Sequence, residues 1–178
     1  MISSFKNIFF DRDGIVNEII FRDGGAFSPL RLEEFKIRQE FVCFYRSIQR
    51  RGLDLFIVSN QPDIARGKLS EITLHAMTAV VESAFNFKEV LYCIHDDPDN
   101  CDCRKPKPGM IETMISRYNL KKEECLIVGD GWKDIAAGKN AGIKTAFLET
   151  RYNANTVVDS DFKIEKLEDL NAGQILGG

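Results

Sequence analysis

Short apolar runs alternate with amphipathic stretches along this chain, and three of the runs end on acids, amides or hydroxyls. That alternation constrains the fold more than any other feature. The run 6–10 ends at Asp11, the run 53–58 at Ser59 and Asn60, and the run 124–128 at Gly129 and Asp130. Two further runs, 89–94 and 144–148, also read as strands. Between them lie helical patterns. Residues 39–51 place Phe41, Val42, Tyr45 and Ile48 on one helical face, and Gly52 stops that helix. Ser70 caps a helix through 85 that contains Ile72, Leu74, Met77, Val80 and Val81. Pro108 fits the first turn of a helix to 118, and a helix over 133–140 is stopped by Gly142. The tail, 162–170, adds a short strand and helix, and 20–36 reads as an irregular loop near the site.

A strand–helix alternation of this kind predicts an α/β fold. The sheet is Rossmann-like and mostly parallel, with helices on both faces. The 178 residues suffice for one domain over 1–178, and no interval has the length of a separate cap domain. Such sheets bind ligands beyond the carboxyl ends of their strands, where the polar residues cluster here.

Charge and composition narrow the class. The net charge is −3, with 29% charged and 44% hydrophobic residues. That is ordinary for a soluble globular protein and advertises no basic face for nucleic acid. No run is long enough to span a bilayer. Residues 1–6 carry no leader pattern, so the expected location is the cytoplasm. The expected state is a monomer.

Asp11 and Asp13 stand two residues apart after a buried strand, and Gly14 permits a sharp turn. One carboxylate can attack phosphorus while the other manages a proton. An aspartate-rich turn is the competing reading. Ser59 and Asn60 can hold phosphate oxygens, or form a turn. Lys105, inside Arg104-Lys105-Pro106-Lys107-Pro108-Gly109, supplies a fixed cation, or belongs to a solvated basic loop. Asp130 and Asp134 suit a hard cation such as magnesium, or cap the following helix.

Together, in this order, these elements resemble the haloacid dehalogenase superfamily of phosphohydrolases over residues 6–148. The pattern is Asp-x-Asp-Gly after the first strand, Ser or Thr after the second, a Lys before a helix, and Gly-Asp with a further Asp. The resemblance implies that Asp11 is the nucleophile and that Asp13 is general acid and then base. Ser59 and Lys105 would hold the phosphoryl oxygens. Magnesium would be bound by Asp11, the Asp13 backbone carbonyl and Asp130, with Asp134 assisting.

Cys93, His95, Cys101 and Cys103 form a C-x-H and C-x-C pair that suits structural zinc and pins the loop 93–103. A chance cluster of reduced thiols is the alternative. Cys43 and Cys125 read as core residues. The zinc-type cluster sharpens the resemblance. With Arg-Lys-Pro-Lys-Pro-Gly-Met, Asp-Arg-Asp-Gly-x-x-Asn and Asn60–Gly67, it is similar to the D,D-heptose 1,7-bisphosphate phosphatase and histidinol-phosphatase group. That similarity implies a small phosphorylated sugar as substrate, cleaved at the 7-phosphate of a heptose bisphosphate in surface-polysaccharide precursor synthesis. Arg104 would hold a second phosphate or sugar hydroxyls, unless it serves a structural salt bridge. Pro62 and Asp63 depart from the group's small residue and glycine, stiffening that loop and adding a negative charge. Histidinol phosphate is the competing substrate. A phosphotransferase or mutase, and a non-catalytic zinc-stabilised binding protein, are the other readings.

Overall fold

The computed structural model describes residues 5–171 and 175–176. Residues 1–4, part of the N-terminal segment read for a leader, lie outside the described residues. Six strands form one parallel sheet in the order β5-β4-β1-β6-β7-β8. These are β1 (Asn7–Phe10), β4 (Asp54–Asn60), β5 (Glu89–Cys93), β6 (Cys125–Gly129), β7 (Lys144–Leu148) and β8 (Phe162–Ile164). A separate antiparallel hairpin joins β2 (Ile20–Arg22) to β3 (Gly25–Phe27).

The central strands are apolar because both of their faces are covered. Ile8 and Phe10 of β1 face one core with Phe41, Phe44, Leu74, Met77 and Val81. Phe9 faces the other core with Met110, Ile111, Met114 and Ala137. The helices α1 (Gln39–Ile48) and α2 (Glu71–Ala84) therefore cover the first face. The helices α3 (Gly109–Tyr118) and α4 (Trp132–Ala141) cover the second. Chain order reverses beside β1, since β4 follows on one side and β6 returns on the other. That reversal opens the crevice in which open α/β sheets bind ligands.

Several expectations need correction. The segment 20–36 is not an irregular loop: it holds the β2–β3 hairpin and a 3-10 turn at Leu32–Glu34. Asp23 and Gly24 carry the turn with φ of 47° and 76°, the Asp-Gly pairing that two-residue hairpin loops favour. Cys43 is exposed, whereas Cys125 is buried. Cys43 lies about 200° around the helix from Phe41, so it points outward. The core face of α1 is Phe41, Phe44 and Ile48, with Val42 and Tyr45 half-buried. In α2, Leu74, Met77 and Val81 are buried, while Ile72 and Val80 face outward. The Ser70 hydroxyl accepts the Thr73 N–H at 3.1 Å, so the expected cap is present. Pro108 is the residue before α3 rather than within its first turn. Gly142, at φ 75°, closes α4 as expected.

Candidate active site

The ends of β1, β4 and β6 lie side by side, so Asp11, Asn60 and Asp130 converge on one cavity of about 500 Å³. Asp11 follows β1, and its N–H still bonds the Val128 carbonyl at 3.0 Å, extending the ladder one residue past the strand. Gly14 turns the chain at φ 86°, and a side chain there would collide with the Asp130 carboxylate. The glycine is thus what lets the first loop lie against the loop after β6.

Lys105 is the electrostatic hinge of the site. Its ammonium donates to Asp11 Oδ1 at 2.8 Å, Asp134 Oδ1 at 2.5 Å and the Val58 carbonyl at 2.7 Å. Its side chain is only 3% exposed. Burial alone would lower its pKa, but the carboxylates of Asp11 and Asp134 outweigh that and raise it. Burial raises Asp11 to about 8; Lys105 opposes this, while Asp134, Asp130 and Asp13 add to it. Burial and the Asp134 charge likewise push Asp130 to about 7. Asp11, Asp130 and Asp134 offer oxygens that all lie within 4.8 Å of one another. Three carboxylates face one ammonium, an excess of two negative charges that one hard dication would balance. The donor set therefore fits magnesium.

Asp134 sits in the first turn of α4, where its Oδ2 also accepts the Gly131 N–H at 3.0 Å. It serves the helix start and the site at once. Asn60 uses its whole amide on Lys105: Nδ2 donates to the Lys105 carbonyl at 2.9 Å, and Oδ1 accepts the Lys105 N–H at 3.0 Å. Its geometry is that of a clamp on the Lys105 backbone. Ser59 is buried, and its hydroxyl accepts the Gln61 amide at 3.1 Å; it is not among the residues that line the cavity. Arg104 lines the cavity but also donates to Asp97 at 2.6 Å and to the His95 carbonyl at 3.3 Å, so the salt bridge that was the alternative to substrate binding is present. Pro62 and Asp63 line the cavity too.

Asp13 has a support that sequence reasoning missed. Arg12 is fully buried and donates to both Asp13 oxygens at 2.9–3.1 Å. Asn17 Nδ2 and Gln61 Nε2 add bonds of 2.9 and 2.8 Å. Burial would raise the Asp13 pKa, but Arg12, Asn17 and Gln61 lower it overall. The guanidinium itself lies 5.3 Å from the Phe35 ring centroid and 5.5 Å from that of Tyr92. On the opposite side Tyr152 donates to Asp130 Oδ2, and Asn153 Nδ2 donates to the Asp130 carbonyl at 2.8 Å. Tyr152 and Asn153 belong to a loop after β7 whose sequence carries no motif. Arg12 and Asn17 lay inside the quoted Asp-Arg-Asp-Gly-x-x-Asn pattern, so a signal for them existed.

The ligand atoms of Cys93, His95, Cys101 and Cys103 also lie within 4.8 Å of one another. The sulfurs are 3.2–3.5 Å apart. A disulfide needs about 2.05 Å, whereas tetrahedral thiolates around zinc stand about 3.8 Å apart. The cluster thus fits a zinc ion and not a crosslink. It immediately precedes Arg104 and Lys105, so whatever fixes it also fixes the start of the lysine loop. The peptide between Lys105 and Pro106 is cis.

Comparison with known proteins agrees with this geometry. The chain matches the haloacid dehalogenase-like hydrolase family over residues 13–142. It is 31% identical over 160 residues to the D-glycero-alpha-D-manno-heptose-1,7-bisphosphate 7-phosphatase of Photorhabdus laumondii, covering 82% of this chain and 83% of the relative. It is also 31% identical over 157 residues to the corresponding beta-anomer enzyme of Helicobacter pylori, covering 85% and 87%. Its fold matches the crystal structure of D,D-heptose 1,7-bisphosphate phosphatase from B. bronchiseptica in complex with magnesium and phosphate. That match has a TM-score of 0.78 at 24% identity and covers 92% and 94% of the two chains. The chain belongs to the haloacid dehalogenase-like hydrolases.

Proposed function

We propose that the protein is a phosphomonoesterase acting on a small sugar phosphate through an aspartyl-phosphate on Asp11. One observation carries the reading: Asp11, Asp130 and Asp134 are gathered within 4.8 Å, with the Lys105 ammonium bridging Asp11 and Asp134. Curated relatives at 31% identity are 7-phosphatases of D-glycero-D-manno-heptose 1,7-bisphosphate, which supports that substrate.

In the first step an Asp11 carboxylate oxygen forms a bond to phosphorus and the bond from phosphorus to the sugar oxygen breaks. Asp13 gives its proton to the departing oxygen. In the second step Asp13 takes a proton from water, whose oxygen attacks the phosphorus. Inorganic phosphate leaves and Asp11 is restored. Lys105 holds one Asp11 oxygen at 2.8 Å, so the nucleophile is oriented before substrate arrives. The Arg12 clamp favours ionised Asp13, the form needed for the second step. Its acid role requires the negative ester to raise it. Magnesium, held by Asp11, Asp130 and Asp134, would neutralise charge on the phosphoryl oxygens. Zinc on Cys93, His95, Cys101 and Cys103 would hold the lysine loop. The thiol cluster needs a reducing compartment, which supports the cytoplasm.

The test is a panel of phosphate esters compared by kcat/KM, with both heptose bisphosphate anomers and histidinol phosphate included. Preference for a heptose bisphosphate is expected. A clear preference for histidinol phosphate would overturn the substrate. Unchanged turnover after Asp11→Asn would overturn the mechanism.

A further inference from the structure

The hydrogen bonds that reach the Asp13 carboxylate divide unevenly between its two oxygens. Oδ1 accepts Arg12 Nε at 3.1 Å, Arg12 Nη2 at 2.9 Å and Asn17 Nδ2 at 2.9 Å. Oδ2 accepts Gln61 Nε2 at 2.8 Å and a longer, 3.1 Å branch from the same Arg12 Nη2. A carboxylate oxygen has about two lone-pair directions, so Oδ1 is saturated. Its donors cannot turn away. A guanidinium has no acceptor form, and Asn17 Nδ2 is also engaged by the Glu18 carbonyl at 2.9 Å. A proton on Asp13 is therefore carried by Oδ2, where Gln61 is the one short donor. Gln61 is 2% exposed and comes from a different strand end. Its backbone N–H donates to the Cys93 carbonyl at 2.7 Å, which extends the β4–β5 ladder past Asn60 and fixes the main chain there. Its side-chain amide carries two hydrogens: one meets Asp13 Oδ2 and the other the Ser59 hydroxyl oxygen at 3.1 Å.

We infer that Gln61 is a positioning residue for proton transfer: it aims Asp13 Oδ2 as the oxygen that gives and takes the proton, and it shares its amide between that oxygen and Ser59. This rests on the reading of Asp11 as nucleophile and Asp13 as acid and base, and deepens it. In the first step Oδ2 gives its proton to the departing oxygen, and the amide closes on the carboxylate that remains. In the second step Oδ2 takes a proton from the attacking water, and the amide relaxes toward the Ser59 hydroxyl oxygen. No buried N–H is left unpaired in either state, so the exchange avoids the desolvation penalty of an orphaned donor. Because the main chain is tied to Cys93, only the amide has to move.

The test uses full-length protein with p-nitrophenyl phosphate, whose leaving group departs without a proton, so that only the second step needs Asp13. Acetyl phosphate, which shares that property, is the second probe. Gln61→Met keeps the side-chain length and removes both donors. Rapid-mixing kinetics should show a burst of leaving group whose rate stays within about threefold of the parent's first step. The steady state that follows should be about ten- to hundredfold slower than the parent's. Acid quenching should then recover phosphate bound to Asp11. Gln61→Asn, whose amide is one methylene short of Asp13, should give the same burst should the Met variant fail to fold. Equal slowing of both phases, as a merely loosened site would give, or no slowing at all, would overturn the Gln61 role. A parent that turns over no ester would overturn that role together with the proposed function. Parental turnover that is abolished by Asp11→Asn, beside a Gln61→Met variant without a burst, would overturn the Gln61 role alone.

Discussion

Lys105 and Asp11 meet at 2.8 Å although 94 residues separate them in the chain, and the same ammonium reaches Asp134 at 2.5 Å. The lysine holds Asp11, the proposed nucleophile, in place and limits the repulsion among three acids. Lys105→Met is expected to lower kcat by about 10²–10³, the scale for losing one preorganised charge-stabilising donor. Lys105→Arg should not recover it, because the longer planar fork cannot also reach the Val58 carbonyl from this buried position. Steady-state kinetics on the preferred ester would decide; near-parental kcat in the Met variant would refute the role.

Arg12 and Asp13 form a buried pair between two aromatic rings. Arg12→Met leaves Asp13 without its guanidinium, and breaking a buried pair from one side costs roughly 3–5 kcal/mol. Urea denaturation should register a loss of that order, and a loss below about 1 kcal/mol would contradict the clamp.

The pH dependence of metal-free stability has a definite sign. Asp11 is raised to about 8 and Asp130 to about 7, so between about pH 4 and those values the folded chain binds more protons than the unfolded one. Their contribution is present at low pH and is lost as pH rises through that window. Magnesium should reverse the loss by favouring the ionised acids. Thermal unfolding with and without magnesium should therefore show a larger rise in Tm at pH 8 than at pH 5. An equal rise at both would count against these acids as the ligands.

Tyr152 donates to Asp130 and makes an edge-to-face contact with Phe21 of the hairpin, centroids 5.9 Å apart. Removing only the hydroxyl, by Tyr152→Phe, should weaken magnesium binding about tenfold or more, as loss of a ligand's outer partner does. Isothermal titration with magnesium is the measurement, and unchanged affinity is the outcome that excludes the role.

Purified protein should carry zinc bound by the thiol cluster. Cys103→Ser should lose it, as read by elemental analysis, and should lose activity as well, because Cys103 precedes Arg104 and Lys105. Full activity with no zinc would show that the lysine loop holds its shape unaided.

Much of the frame was legible in the chain. Buried parallel strands are continuous apolar runs, so β1, β4, β6 and β7 stood out, and three of the four motifs could be assigned to a strand end, the Lys105 motif standing before a helix instead. From sequence the hairpin is misread as a loop: only Asp23-Gly24 marks it, and its strands are three residues each and half exposed, too short for a periodic signal. Cys43 shows the limit of composition: apolar character alone does not say which side of a helix faces the core.

By itself, then, the sequence determined the order of elements, the acids at the strand ends and the ligand types of the cysteine cluster, because spacing and side-chain chemistry are local properties. Only the tertiary structure decided who touches whom. It turned Asn60 toward the Lys105 backbone, brought the Gln61 amide to Asp13 and placed Tyr152 against Asp130. Partners this far apart in the chain are chosen by sheet order and loop packing, which no local pattern encodes.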